Sequence, residues 1–337
     1  MNNRLVSRWS ETNLASMNLK IYNYLYCGKD LHNIDGLEEY NGRLDLRGYK
    51  IINGFSKGIN SLFILKKIKN SNFKKIDFSY SDFSNTIWEN CTIESCNFEQ
   101  SNFKSVDFTN IEFKKTKFRN CNLSESILNM NSGINSGKFE DVDFIDCNMS
   151  KSLFRFPLMK NCRFINCNLF ETDFDGTRFE DCSFSGVLDS TFFRGYSFFA
   201  KSSIKFKLFY NEKFHNKMDN IDFSQAILKG VIFAHKINLN KCKFNITDTN
   251  LLIILDSENV FNMAKVIIRS EWQEPYKEKG IVFIDKVLYT DDHKEQKINI
   301  VDRYILTDDG KDQPFGDMLF DLLVKCNFQY KNLYTRA

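Results

Sequence analysis

Cysteines are the most reactive side chains of this 337-residue sequence, and there are ten of them. Thiolates bind metals, form disulfides and act as nucleophiles. The sequence has no CxxC or Cys–His spacing of the kind that holds zinc, and only four histidines that could activate a nucleophile. We therefore predict reduced thiols with a packing role, and no catalytic, metal or cofactor site.

A cluster of acidic residues near the C-terminus is the one arrangement that suggests an enzyme. Asp285, Asp291, Asp292 and His293 precede the Glu-Gln-Lys segment at 295–297. This order superficially resembles the metal-binding pattern of the PD-(D/E)xK nucleases. In a chain that is 26% charged such a match arises easily, and TDDHKEQK is more typical of a solvated hairpin turn. The nuclease is kept as the weaker alternative.

The overall charge is near neutral, with 46 Lys and Arg against 43 Asp and Glu. A net charge of +3 gives no reason to expect general attraction to nucleic acid or to an anionic membrane. The longest aliphatic run covers residues 251–255, far short of the ~20 residues of a spanning helix, and the N-terminus has no apolar signal core. We expect a soluble protein, and reduced thiols indicate a cytosolic environment.

A five-residue period runs through the middle of the chain and explains its 34 phenylalanines. Large apolar side chains occupy every fifth position from Phe73 to Leu128 and, after one extra residue, from Ile134 to Phe184. Chance does not explain an unbroken series of 23 such central positions. A period of five fits neither a helix nor a flat strand, so it predicts short extended segments joined by regular turns.

The residue two positions before each centre is almost always small. Side chains two apart on an extended backbone point to the same side, so a large and a small residue can fill a narrow interior together. The other positions are mostly Asp, Asn, Ser, Lys and Glu, which are typical of outward-facing and corner residues. Eight cysteines occupy the small inward position: Cys91, Cys96, Cys121, Cys147, Cys162, Cys167, Cys182 and Cys242.

Stretches such as CNFEQ, SNFKS, CNLSE, CNMSK and TDFDG combine these features. They resemble the repeats of the pentapeptide-repeat family, in which a small residue and Asp or Asn precede a central Leu or Phe. The resemblance implies a mainly β fold, a right-handed four-sided parallel β-helix with one pentapeptide per face and twenty residues per coil. It covers about residues 63–186 and returns more weakly around the centres Phe223, Leu228, Phe233 and Phe244.

Twenty residues per coil would place residues that lie twenty apart in adjacent coils. Stacked thiols would be close together but poorly angled for oxidation, and stacked amides would bond along the rod. The extra residue in NMNSGINSG predicts a bulge or small loop at one corner. Four pairs should stack: Cys147 with Cys167, Cys162 with Cys182, Asn102 with Asn122, and Asn148 with Asn168.

The sequence divides into three parts. Residues 1–62 are predicted to form an N-terminal cap, residues 63–250 the β-helix with an interruption at about 187–220, and residues 251–337 a small C-terminal α/β or α+β domain. A cap is required because the end of a β-helix is an open sheet edge. In the C-terminal part, IVFIDKVLY and INIVDRYIL are predicted to pair as strands, and GDMLFDLLVKC to form an amphipathic helix.

Four apolar residues face outward in the second half of the repeat region. Ile145 and Ile165 lie twenty apart and should stack on one face, whereas Phe156 and Phe170 belong to adjoining faces. Contiguous exposed apolar surface usually marks a contact, so these four are the predicted partner-binding residues. The alternative is that the 187–220 segment or the C-terminal domain docks on them.

The resemblance implies an interaction protein, because pentapeptide-repeat proteins with assigned roles are mostly non-enzymatic binders. We predict a protein–protein interaction scaffold of bacterial type, with delivery into a host cell as an effector as one form of it. Its partner would be another protein, and we expect no direct contact with nucleic acid and no membrane span. Fold alone does not identify the partner.

Family members that bind DNA gyrase or topoisomerase IV by imitating duplex DNA provide the alternative function. Such mimicry needs a strongly negative surface. Residues 71–186 contain 13 basic and 17 acidic residues with the signs interspersed, a net charge of −4. The charge pattern disfavours DNA mimicry. A basic cluster lies in mid-rod: Lys114, Lys115, Lys117 and Arg119.

Ile165→Asp tests whether this residue faces outward. An outward Ile165 contributes little to the core, so we expect the repeat domain to stay folded while whatever docks on that face binds more weakly. Circular dichroism and thermal unfolding measure the first effect, and a binding assay measures the second. Unfolding of the repeat domain would place Ile165 in the core and would show that the assigned register is wrong.

Overall fold

Four faces form most of the part of the chain that the structure describes. We number them one to four in the order in which the chain visits them from Phe73. Three faces are parallel sheets, and the third is a row of isolated bridges. The four-sided parallel β-helix predicted from the sequence is confirmed. The computed structural model describes residues 5, 7–9, 12–51, 66–129, 137–198, 214–291, 293, 296, 298–307 and 311–334.

The strands of each face are parallel, apart from an N-terminal hairpin. The first face has six: Asn72–Lys74, Thr92–Glu94, Glu112–Lys114, Lys138–Glu140, Leu158–Lys160 and Arg178–Glu180. The second has ten: Glu39–Tyr40, Arg43–Asp45, Ile76–Asp77, Asn97–Glu99, Lys117–Arg119, Asp143–Ile145, Arg163–Ile165, Ser183–Asp189, Ile221–Lys229 and Cys242–Phe244. The third has bridges between Lys50, Asp82, Asn102, Asn122, Asn148 and Asn168. The fourth has eight strands: Lys66–Lys69, Thr86–Glu89, Asp107–Thr109, Ile127–Leu128, Leu153–Arg155, Asp173–Asp175, Phe192–Arg194 and Ile232–Ala234.

The third face lacks regular strands because its Asp and Asn side chains bond to nearby backbone. Asp82 Oδ1 accepts from the N–H of Ser84 at 3.1 Å and from its hydroxyl at 2.7 Å, which is an Asx turn. Amides also bond between coils. Asn168 donates to Asn148 at 3.2 Å, as the twenty-residue spacing predicts, while Asn102 donates to Asp82 at 3.1 Å.

The central residue of each pentapeptide fills the interior. Phe78, Phe98 and Phe118 stack along the second face with ring centroids 5.4 and 4.8 Å apart and interplanar angles of 6° and 8°. Between faces the rings meet edge to face, as for Phe78 and Phe83 at 5.4 Å and 80°. Both arrangements suit the aromatic quadrupole, so the rings join neighbouring coils and neighbouring faces.

Small residues two positions before the centres carry hydrogen-bond donors into the interior. Ser101 Oγ donates to the Phe78 carbonyl at 2.9 Å, and Cys121 Sγ donates to the Phe98 carbonyl at 3.0 Å. Each acceptor lies in the preceding coil, so each bond links two coils. Ser, Thr and Cys alternate at this position because they share a small volume and a donor.

The chain turns its corners through residues in the left-handed conformation. Asn90 and Asn110 have φ values of 55° and 52°, a region that Asn tolerates better than most residues. Asn110 Nδ2 also donates to Asn90 Oδ1 at 2.8 Å. The sequence predicts polar outward-facing and corner residues here, and the structure adds that the corner amides bond to one another between coils.

The insertion in the middle of the rod is longer than the single residue that the sequence predicted. Ile93 pairs with Phe113 at the regular spacing of twenty, but Phe113 pairs with Phe139, which is 26 positions later. Six residues are therefore added to this coil. Ile134, which the sequence analysis counted as a centre, belongs to 130–136, outside the described residues.

The N-terminal segment covers the first coil. Helix α1 (Thr12–Cys27) buries Ile21 and Leu25 in the rod core, and a 3₁₀ turn follows at Leu31–Asn33. The hairpin strand Arg43–Asp45 pairs in parallel with the first coil of the second face. A strand of the rod therefore lies within the segment predicted as a cap.

Asp45 holds distant parts of the N-terminal segment together. Its carboxylate accepts from the guanidinium groups of Arg8 and Arg47, each at 2.9 Å, and Trp9 Nε1 donates to the Arg47 carbonyl at 2.8 Å. Burial alone would raise the pKa of Asp45, but the hydrogen bonds from Arg47 and Arg8 lower it far below the usual range. Asp45 is therefore negatively charged at neutral pH, and it pairs with the positive charges of Arg8 and Arg47.

The C-terminal part has a separate hydrophobic core. Its strand pair differs from the prediction, because IVFIDKVLY is helical. Ile284 and Leu288 of that segment are buried at helical spacing, and the apolar run LLIIL supplies the strand instead. The predicted C-terminal helix matches the last element. The elements are an antiparallel pair, Leu251–Ile254 with Asn299–Asp302, helices α2 (Ser257–Glu271) and α3 (Tyr276–Phe283), a π-helical turn (Ile284–Leu288), α4 (Arg303–Leu306) and α5 (Gln313–Tyr334).

The C-terminal part packs on the far end of the rod. Leu251, Ile298 and Ile300 lie against the rod core, and Gln296 Nε2 donates to the Phe233 carbonyl at 3.1 Å. Phe233 belongs to the last strand of the fourth face. These contacts cover an edge that would otherwise be open to pairing with another chain.

Phe108→Ala tests the interior packing in mid-rod. Phe108 is 1% exposed, and its ring centroid lies 5.7 Å from that of Trp88 and 5.3 Å from that of Phe113. We expect a loss of ~3–5 kcal/mol in the free energy of unfolding, because a cavity remains where the ring was. Urea unfolding measures it, with the surface variant Lys104→Ala as a control that changes stability by less than about 0.5 kcal/mol. A loss below ~1 kcal/mol for Phe108→Ala would contradict the inward assignment.

Candidate functional site

Two of the four predicted contact residues are brought together by the structure. Ile145 and Ile165 are paired in register on the second face, and both are half-buried. Phe170 lies on the third face, two residues after the bridge residue Asn168, and is 38% exposed. Phe170 is therefore the most accessible of the predicted contact residues.

Phe156 is not on the surface, and the prediction that it contacts a partner is wrong. It occupies a corner with φ of 61° and is 1% exposed. A Cβ added to Gly176 would lie 3.0 Å from the Phe156 ring and 3.1 Å from Ser197 Cβ, so Ser197 of the 187–220 segment lies close to the ring. Burial offsets the strain of a bulky residue in the left-handed region. Residues 199–213 of that segment lie outside the described part.

Buried polar groups fix the described ends of the interruption. Asp175 is fully buried and accepts from the Ser197 hydroxyl and from the Phe198 N–H, each at 2.7 Å. On the returning side, Asn216 N–H donates to the Gly195 carbonyl at 2.8 Å. Burial raises the pKa of Asp175 despite these bonds, so this carboxyl group is held at an energetic cost for its structural role.

Beside Phe170 lies an exposed apolar patch that the sequence analysis did not identify. Val187 and Ile227 are paired neighbours on adjacent strands and are 50% and 48% exposed. Phe170 and Val187 line one shallow groove. We call Phe170, Val187 and Ile227 the apolar patch. The regular five-residue period ends before Val187, and the out-and-in alternation of Val187 with Leu188 is the signal in the sequence that could have revealed the patch.

The patch exists because two strands pass the corner between the second and third faces without interruption. Ser183–Asp189 and Ile221–Lys229 pair over most of their length across this corner. Gly186 allows the turn with φ of 90°. Leu188 and Leu228 point into the core at 1% and 2% exposure, which directs the side chains before them outward.

Charged groups around the patch pair with one another. Lys229 Nζ lies 3.2 Å from Asp189, and Lys151 Nζ lies 3.7 Å from Glu171. Exposed pairs of this kind add little stability, but they cancel the local field. The patch therefore has an apolar centre and a rim of low net charge. The groove is also lined by small polar residues: Ser150, Asn166 and Asn168.

The first face carries charges of alternating sign along the rod. Lys74 lies 3.4 Å from Glu94, and Lys160 lies 3.6 Å from Glu180. Because the signs cancel from coil to coil, this face does not present the continuous negative surface that DNA mimicry needs. The residues that directly follow the central residues of the first face are, coil by coil, Lys74, Glu94, Lys114, Glu140, Lys160 and Glu180.

The C-terminal acidic cluster does not form a metal site in the described residues. Asp285 pairs with Lys265 at 2.9 Å, and His293 Nδ1 lies 2.8 Å from the Thr290 hydroxyl. Within the described ranges no group of three His, Cys, Asp or Glu has metal-binding geometry. Three members of the nuclease-like pattern lie outside those ranges: Asp292, Glu295 and Lys297.

All ten cysteines are free, and most are buried. Cys182 Sγ accepts from the Cys162 N–H at 3.4 Å, so this pair stacks as the spacing predicts. Burial raises the pKa of the Cys91 thiol to about 11 and that of the Cys96 thiol to about 12. Thiols that stay protonated are poor nucleophiles and poor metal ligands, which favours the packing role.

Two family models match the chain, and both describe pentapeptide repeats. One matches nine copies over residues 68–112, and the other matches eight copies over residues 147–186. The chain therefore contains pentapeptide repeats over these two stretches. The two matches lie on either side of the six-residue insertion, which interrupts the pentapeptide period between them.

Solved structures with pentapeptide repeats align with parts of the chain. HetL, involved in heterocyst differentiation regulation in the cyanobacterium Nostoc sp. strain PCC 7120, aligns at 10% identity and a TM-score of 0.33, over 60% of this chain and 88% of its own. QnrB1, a plasmid-mediated fluoroquinolone resistance protein, aligns at 17% identity and 0.23, over 50% and 84%. Rfr23 from the cyanobacterium Cyanothece 51142 aligns at 14% and 0.11, over 34% and 62%. Alignments this weak carry no functional argument.

No curated protein sequence matches the chain. Within the described residues, no helix combines the length and the apolar character needed to cross a bilayer.

Asp175→Ala tests the anchor of the interruption. The Phe198 N–H and the Ser197 hydroxyl would lose their acceptor, at about 1–3 kcal/mol for each unsatisfied group. We expect faster amide exchange and faster proteolysis around these residues, with the rest of the rod unchanged. Asp181→Ala is the control, because Asp181 is an exposed corner residue that bonds to Asn220 at 2.8 Å. Unchanged exchange at Phe198 would show that Asp175 is not the anchor.

Proposed function

We propose that this pentapeptide-repeat protein is a non-enzymatic protein–protein interaction scaffold of bacterial type, and that its partner binds the apolar patch. The exposure of Val187 and Ile227 beside Phe170 carries the proposal. Exposed apolar side chains that are contiguous on a rigid framework are typical of a protein contact. The strands beneath them are held by a packed core, so the patch binds without the entropy loss of ordering a loop.

The rim of the patch indicates the chemistry of the partner. Lys229 with Asp189 and Lys151 with Glu171 are already neutralised, so neither a strongly acidic nor a strongly basic partner gains much from this surface. The best fit is an apolar protein surface of low charge, whose affinity changes little with salt. The ten free cysteines support a reducing compartment, the cytosol of the bacterium or of a host that receives the protein.

The arrangement of the three parts of the chain supports the same proposal. We take residues 1–62 as a cap, residues 63–250 as the rod that carries the patch, and residues 251–337 as a unit that closes the rod. α4 contacts the strand Ile221–Lys229, and Lys229 Nζ lies 5.6 Å from the Tyr304 ring centre. The C-terminal unit therefore borders the patch, so a partner can touch both.

DNA gyrase or topoisomerase IV remains the competing partner from the sequence analysis. The alternating charges of the first face disfavour it, since a DNA mimic needs negative charge in continuous rows. Purified gyrase is tested alongside other partners for this reason. Direct capture of gyrase, or inhibition of its supercoiling activity, would establish the topoisomerase function in place of the scaffold.

A double substitution, Val187→Asp with Ile227→Asp, tests the patch. Both side chains are exposed, so we expect the fold and the unfolding temperature to stay within a few degrees of the wild type. Partners captured from bacterial and eukaryotic lysates by the full-length protein should bind roughly tenfold more weakly or worse, because charge enters an apolar contact. The source of the captured partner distinguishes a bacterial scaffold from a host-directed effector.

Leu19→Asp is the matched control. Leu19 is 54% exposed on α1, which packs on the first coil, whereas the patch lies in the last coils of the rod. We expect this variant to capture the same partner as the wild type. A partner that binds the double variant and the control equally well would exclude the apolar patch as its site.

A further inference from the structure

A buried carboxylate adds a hydrogen bond to the contacts that hold the C-terminal unit on the rod. Asp302 is 2% exposed and stands at the end of strand Asn299–Asp302, directly before α4. Its Oδ1 accepts from the Ile305 N–H at 3.0 Å, within the C-terminal unit. The same oxygen accepts from the Gly230 N–H at 3.1 Å, across the junction. Gly230 is the corner that follows the rod strand Ile221–Lys229.

The charged groups on and beside the elements that carry Asp302 and Gly230 are engaged with other partners. On the rod, Lys229 pairs with Asp189 and lies over Tyr304. On α4, the guanidinium of Arg303 donates to Asp317 and Asp321 of α5. On the strand side, Asp248 accepts from the Asn250 N–H at 2.9 Å. Among the described residues, Asp302 has backbone donors but no salt bridge.

We propose that Asp302 is a proton-operated latch, whose protonation state sets how tightly the C-terminal unit is held on the rod. This inference goes beyond the proposed scaffold function and does not depend on it. A buried carboxylate without a counter-ion is costly, whereas burying the neutral acid costs less. The carboxyl oxygen can accept from Gly230 in either state, so protonation keeps this bond and lowers the cost of burial.

The direction of the pH dependence follows from the burial. Burial raises the pKa of Asp302 from 3.8 to about 6, against the lowering effect of its backbone hydrogen bonds. The docked form therefore binds the proton more tightly than the undocked form. The C-terminal unit is held most tightly on the rod at a pH below 3.8, the ordinary pKa of an Asp carboxyl group. It is held less tightly as the pH rises through about 6, the pKa of Asp302 in the docked form. Above that value the junction holds a desolvated charge.

The latch lies at the border of the apolar patch. Gly230 follows Lys229 directly, and α4 contacts the same strand that carries Ile227. Loosening the junction therefore changes the surface next to the patch. A rise in pH would expose the edge of the rod that the C-terminal unit covers.

Amide hydrogen exchange in the full-length protein measures the latch. The Gly230 N–H exchanges when the junction opens, and its rate is corrected for the intrinsic pH dependence of exchange. In the wild type we expect about tenfold greater protection at pH 5 than at pH 7.5. Equal protection at the two pH values would overturn the proposal, and this arm needs no variant.

Asp302→Asn supplies the second arm. The amide Oδ1 can accept from both N–H groups but carries no charge at any pH, so we expect strong, pH-independent protection of Gly230 at the wild-type level of pH 5. Asp256→Asn is the matched control, because Asp256 caps α2 in the same unit and binds Tyr330 and Asn259 rather than the rod. A pH profile that survives in Asp302→Asn, or that is lost in Asp256→Asn, would assign the effect to another group.

Discussion

The structure depends on one constraint, that each coil must bring its backbone into register with the coil before it. Ile93 and Phe113 pair in register twenty residues apart, and the donor of Ser101 meets the carbonyl of the preceding coil. Inward rings, small donors beside them and left-handed corners are the local conditions for this register. Between Phe113 and Phe139 the spacing grows to 26 residues, yet the two residues still pair in register.

Much of the fold could be predicted because the five-residue rule is local. Each centre needs only its own pentapeptide to define a face, so even the weak repeats around Phe223 and Phe233 were placed correctly, and both are buried. The stacking of Cys162 with Cys182 followed from the same spacing. The helical segment after α2 was mistaken for a strand because short apolar runs fit both periods.

The functional surface was harder to predict because it depends on contacts between distant segments. Phe156 is outward by its position in the repeat, yet it is buried, and Ser197 lies close to its ring. Val187 and Ile227 are exposed because two long strands cross a corner, and nothing in a pentapeptide count describes that event. The charge pattern of the surface was hard to predict for the same reason. The Lys and Glu side chains of the first face neutralise one another only when the coils are stacked.

Crosslinking inside cells tests most directly whether the apolar patch is the partner site. A photoreactive amino acid is placed at Val187, at Ile227 or at Lys104, an exposed residue of the third face that lies three coils before Phe170. We expect the first two positions to yield an adduct with the same protein and Lys104 to yield none. Adducts from Lys104 with that protein, or none from Val187 and Ile227, would contradict the proposed site.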